Sequence, residues 1–114
     1  MHDTSKNRGY KSLERAISMM MTSIGPVTLP VARSFLVVAQ NEGMGVGDLA
    51  DKIGSNMSTM SRHLLDLSES MRSGAPGYGV LTRTVDPGNL RAVMYTLSPK
   101  GKLLAANLLD ILED

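Results

Sequence analysis

Apolar residues recur three and four positions apart in five runs of this chain and alternate in part in two short ones, a pattern that predicts five helices and a β-hairpin. The first run places Leu13, Ile17, Met20, Met21 and Ile24 on a helix that starts at Lys11 and stops at Gly25-Pro26. Residues 1–10 are polar and are expected to form a disordered tail. The second helix opens at Thr28, tolerates Pro30 in its first turn, and carries Leu29, Ala32, Phe35, Leu36 and Ala39 until 41–43 ends it. Met44 to Val46 suit a very short strand. A third helix is expected over 48–53, with Ala50 small enough for a helix crossing close by and Gly54 supplying the turn.

The fourth helix is predicted over 57–71. Met57, Met60, Leu64, Leu67 and Met71 form its apolar stripe, and Ser58, Thr59, Arg62, Asp66 and Glu69 its polar face. After a Gly/Pro/Ser loop at 72–79, two β-rich runs, Val80–Val85 and Arg91–Leu97, flank the turn chemistry of Asp86-Pro87-Gly88-Asn89. Ser98 then caps a last helix with Pro99 at its first position. Leu103, Leu104, Leu108, Leu109, Ile111 and Leu112 cover more than one stripe of that helix, which calls for burial on several sides and so for a second copy of the chain. The expected fold is mainly α with a small β-wing: a winged helix-turn-helix of about five helices and a two- or three-stranded sheet. One domain spans 11–114, with 11–24 and 99–114 as its dimerisation helices.

A short helix, a glycine turn and a second helix opened by hydroxyl residues are how a helix-turn-helix presents a segment to the DNA major groove. Ser58, Thr59 and Arg62 share the outward face. An Arg there can give two hydrogen bonds to guanine O6 and N7; the plainer role is an ion pair with Asp66 one turn on. Ser55, Ser58 and Thr59 offer hydroxyls to phosphate near a helix N-terminus, against ordinary capping by Ser55 or Asn56. Arg83 on the first wing strand is placed for phosphate or simply for a solvated strand face, and Asn89 at the tip for the minor groove or simply for the turn. His63 is expected to be half-buried and hydrogen-bonded. Met19, Met20 and Met21 fit core or interface better than a ligand pocket.

Composition narrows the partners. With 114 residues there is room for one core, and with 4% aromatics and nine Met that core is aliphatic. The net charge of +1 leaves DNA binding to local clustering of Arg. Cys is absent, which removes disulfides and thiolate metal sites, and two distant His make no metal constellation. No run spans a membrane and no signal-like core opens the chain, so a cytoplasmic location is expected. Gly43, Gly45 and Gly47 do not complete a dinucleotide motif, the Gly74–Gly79 segment lacks a P-loop ending, and no Ser sits in a nucleophile elbow. No enzyme activity and no cofactor are expected.

Five segments in order carry a resemblance: Thr28-Leu-Pro, Asp48-Leu-Ala-Asp-Lys-Ile-Gly, Ser58-Thr-Met-Ser-Arg-His-Leu-Leu-Asp-Leu, Asp86-Pro-Gly-Asn-Leu-Arg-Ala and Leu97-Ser-Pro-Lys-Gly-Lys. Together, from Val27 to Leu104, the chain resembles the MarR family of winged-helix regulators. The resemblance implies a homodimer, joined through its terminal helices, that binds near-palindromic double-stranded DNA, usually as a repressor, and in some members a small-molecule effector that releases the DNA. It also implies that Arg91 pairs with Asp86 to stiffen the wing or contacts DNA itself. The chain departs from the family at Leu90, where the first of two adjacent wing Arg usually stands, and in its long 72–79 loop. Two other functions fit a winged helix: a plasmid- or phage-type factor that organises DNA for replication or partition, and a protein-interaction module.

Overall fold

The chain folds in the order α1 (Thr4–Ser23), α2 (Leu29–Gln40), α3 (Val46–Ile53), α4 (Met57–Leu67), β1 (Leu81–Asp86), β2 (Asn89–Leu97) and α5 (Pro99–Glu113) in the computed structural model. It describes residues 4–71, 73–86 and 88–113; the side chains of 4, 5, 86 and 89–92 lie outside the described set. The strands form an antiparallel ribbon in which Leu81 faces Leu97 and Arg83 faces Tyr95. Near 44–46, where a very short strand was expected, only an isolated bridge joins Gly45 to Met94; Val46 already opens α3, and the sheet has two strands.

The core gathers residues from every element. Phe35 and Val38 of α2, Leu49 of α3, Met60, Leu64 and Leu67 of α4, and Val80, Leu81 and Tyr95 at the ribbon are almost wholly buried. Ala16 and Met20 of α1, Ile24 just after it, and Gly101, Leu104, Leu108 and Ile111 of α5 are buried where the two terminal helices join the core and pack on each other. Ser98 caps α5 as expected. Its Oγ accepts from the Gly101 N–H at 3.1 Å and donates to the Gly79 carbonyl at 2.6 Å. No helix among the described residues is long and apolar enough to cross a membrane.

Four expectations are corrected. The helix expected from Lys11 starts at Thr4, so residues 4–10 are helical and not a disordered tail. Once the Leu13–Ile24 face nucleates a helix, polar residues extend it at only the small cost of propagation. On α2 the buried face runs through Ser34, Phe35, Val37 and Val38, while Leu29 and Leu36 are exposed, and Thr28 sits at the cap position without a side-chain cap bond. Met57 was expected inside but is 62% exposed, because as the first residue of α4 it has no preceding turn to pack beneath.

The fourth correction is that α4 ends at Leu67, not at Met71. The loop after it doubles back and supplies the hydrogen bonds that further helix would have made. Backbone N–H groups of Gly77, Tyr78, Gly79 and Val80 donate to the carbonyls of Glu69, Asp66, Ser68 and Leu67 at 2.8–3.0 Å. Carbonyls at a helix end need such partners, and here the chain leading to β1 provides them. The base of the ribbon is therefore tied to the end of α4.

Candidate nucleic-acid interface

The turn before α4 fixes how that helix is presented. Gly54 takes the left-handed conformation with φ 65°, ending α3. Asn56 then caps α4, its side-chain oxygen accepting from the Thr59 N–H at 2.7 Å. Of the two capping residues considered, Asn56 is the one used; the Ser55 hydroxyl instead points to the Asn56 carbonyl at 3.4 Å.

With the start fixed, helical geometry decides which side chains face out. Ser58, Ser61 and Arg62 are exposed on one face, together with Met57. Thr59, grouped with them from the sequence, is half-buried beside this face. Ser61 was overlooked, although it lies three positions after Ser58 and so must share its side of the helix. Among the described residues no ion pair joins Arg62 to Asp66, and Arg62 is exposed.

The inward side holds the helix in place. His63 Nδ1 lies 3.2 Å from Ser34 Oγ, which also donates to the Pro30 carbonyl at 3.0 Å. His63 is thus half-buried and hydrogen-bonded, and it ties α4 to α2. Met60, Leu64 and Leu67 complete the buried stripe.

Between the outer face of α4 and the root of the wing lies an open cavity of about 710 Å³. Met57, Ser58, Ser61, Arg62 and Leu65 form one wall, Arg83, Val93 and Tyr95 the other, and the start of α3 with its cap, Gly45 to Gly47, closes one end. Ser58, Arg62 and Arg83, all picked out from the sequence, meet here. Ser55 lies on the turn ahead of the helix and does not line the cavity. The side chains of Asn89 and Arg91, and with them the Asp86–Arg91 pair, lie outside the described residues.

The charge balance of the cavity is one-sided. Two guanidinium groups line it, and among its described lining residues there is no carboxylate. Burial pushes the Tyr95 phenol above its ordinary pKa, and the positive charge of the neighbouring Arg83 guanidinium opposes that rise. Hydroxyls, a neutral phenol and two Arg make a surface of hydrogen-bond donors suited to an anionic, edge-bearing partner. Among the described residues no cluster of His, Asp or Glu is grouped to hold a metal ion.

No protein-family model matches the chain, and no curated protein sequence matches it either. Solved structures do match, at low identity and over nearly its whole length. The structure of MarR aligns with a TM-score of 0.61 at 20% identity, covering 95% of this chain and 74% of that one. A mutant of MepR from S. aureus, bound to an oligodeoxyribonucleotide, aligns at 0.66 and 18% identity, covering 96% and 74%. FabT from Streptococcus pneumoniae, in complex with DNA, aligns at 0.62 and 13% identity, covering 97% and 77%. The chain has the MarR-like winged-helix fold.

Proposed function

We propose that this protein is a sequence-specific double-stranded DNA-binding transcription regulator that reads base edges with Ser58, Ser61 and Arg62 and grips phosphate with Arg83. The carrying observation is the exposed outer face of α4, capped by Asn56 and continuous with the cavity at the wing root, whose described lining residues include two Arg and no carboxylate. A helix of this diameter fits the major groove, and the wing then lies over the neighbouring backbone. The solved structures with DNA share the fold and support the reading.

The functional unit we infer is a homodimer. Leu13, Ile17 and Met21 on α1, and Leu109 and Leu112 on α5, are large apolar residues left in solvent at helical spacing. Such stripes on two helices that pack together form an apolar surface suited to a second copy of the chain. A symmetric pair would set two copies of α4 against half-sites about 34–36 Å apart on a near-palindromic, repressor-type operator.

The test starts with genomic fragments selected by the protein, followed by fluorescence-anisotropy titration. Arg62→Ala should weaken binding to a selected fragment by roughly 5- to 150-fold, the range of one bidentate base contact, and binding to random duplex far less. Equal losses on both would show that Arg62 reads no base. No binding to any fragment at low salt would overturn the DNA reading and favour an interaction module, whereas footprints spreading along clustered repeats would favour a DNA-organising factor.

A further inference from the structure

We propose that Tyr95 is a positioning residue for DNA binding: its hydroxyl holds the Arg83 guanidinium over the cavity beside Arg62, ready for a backbone phosphate, and away from Glu69. This rests on the reading of the α4–wing face as the DNA surface.

Ribbon register is the first observation. Arg83 and Tyr95 are directly opposed across the antiparallel pair, so both side chains leave the same face of the ribbon. That face packs on the core at Leu81 and Leu97 and becomes the cavity wall at Arg83 and Tyr95. Tyr95 is only 2% exposed, so its ring is held by packing and its oxygen has a fixed place. Arg83 is exposed and stands directly opposite Tyr95 on the same cavity wall, close enough for its charge to act on the phenol. An Arg side chain free in solvent must lose substantial rotamer entropy to make a directed contact. A fixed acceptor takes up that loss before any DNA arrives.

The second observation is what stands on the other side of Arg83. Its side chain also borders a separate cavity of about 310 Å³ lined by Leu65, Ser68, Glu69, Ser70 and Thr82. Arg83 is therefore a ridge between two hollows, one with no carboxylate among its described lining residues and one with Glu69. Losing the Tyr95 oxygen would leave the guanidinium to the pull of Glu69. The DNA side would then lose a phosphate-binding charge with no residue in contact with DNA having changed.

The experiment compares wild type, Tyr95→Phe, Arg83→Ala, the double variant, and Tyr95→Phe with Glu69→Gln. Affinity for a random-sequence duplex is followed against salt, since a phosphate contact acts on all sequences alike. Tyr95→Phe should lower affinity roughly three- to tenfold, the range of one hydrogen bond, and reduce the log–log salt slope by about 1. The double variant should bind no worse than Arg83→Ala alone, and Glu69→Gln should restore part of the loss. A wild-type slope for Tyr95→Phe, or additive losses in the double variant, would overturn the proposal. A direct readout needs no DNA. Arg83→Ala, at an exposed position, should push the titration of the buried phenol higher; an unmoved titration would remove the contact even if the protein binds DNA. Failure of the wild type to bind any duplex at low salt would instead sink the DNA reading itself.

Discussion

Two glycines in helices should respond to the same substitution with opposite signs. Gly101 lies in the first turn of α5 and is buried. A Cβ built there would run into the carbonyl oxygen of Val80, with the carbonyl carbon only 2.9 Å away. That carbonyl has little freedom to retreat. It accepts from the Ser98 N–H at 3.1 Å, while the Val80 N–H is committed to the Leu67 carbonyl at 2.9 Å. Gly101→Ala gains about 1 kcal/mol in helix propensity. Against this stand about 1–3 kcal/mol of overpacking and about 0.5–1.5 kcal/mol if the Ser98–Val80 bond is broken. The net expectation is a loss of about 1–3 kcal/mol. Gly9 is the control: it sits in α1, is exposed, and an added Cβ meets nothing within 4 Å. Gly9→Ala should stabilise by about 0.5–1 kcal/mol, since only the entropy of glycine is removed.

Urea and thermal unfolding followed by circular dichroism, at fixed protein concentration because association adds to apparent stability, would measure both. At about 4 °C per kcal/mol for a domain of this size, Gly101→Ala should lower Tm by roughly 4–12 °C and Gly9→Ala should raise it slightly. A Gly101→Ala variant as stable as wild type, or two variants shifting in the same direction, would refute the claim that the start of α5 is pressed against the Val80 backbone.

Two further outcomes are expected. Ile17→Asp, on the open stripe of α1 and itself 42% exposed, should leave the monomer folded but halve the mass measured by light scattering; an unchanged dimer would place the interface elsewhere. Tyr95 gives a pH dependence whose sign is determined. Burial raises the phenol pKa in the folded state above the unfolded value of about 10. The stabilisation of the neutral form is therefore complete below that value and is lost as pH rises through the folded one. Wild type should lose more stability than Tyr95→Phe between about pH 9 and pH 11 in urea titrations, and equal losses would contradict this.

Local signals were read correctly where the physics that sets them is local. Gly54 ends α3 in the left-handed conformation and Ser98-Pro99 opens α5, because caps and turns depend on a few adjacent residues. The helix-turn-helix and the ribbon follow from spacing in the same way. The end of α4 was misjudged by the same logic. Met71 continues the helical spacing of Met57, Met60, Leu64 and Leu67, yet the helix stops at Leu67. What stops it is the return of 77–80, whose N–H groups claim the carbonyls of 66–69. Periodicity registers a preference for helix and is blind to a competitor arriving from ten residues further on.

The candidate site divides along the same line. Ser58 and Arg62 were visible because residues three and four apart on a helix share a face, and Ser61 was within reach of that same rule. The wing wall of the cavity was not. Arg83 and Tyr95 are twelve positions apart, and only the ribbon register sets them opposite each other. From the sequence Tyr95 is one more β-former in an apolar run, with nothing to mark its hydroxyl. The role proposed for it rests on the Arg83 charge beside the buried phenol and on Glu69, delivered by the early end of α4, on the far side of Arg83. The least legible feature of the chain is thus the joint product of two long-range facts: where α4 stops, and which residues the ribbon sets opposite each other.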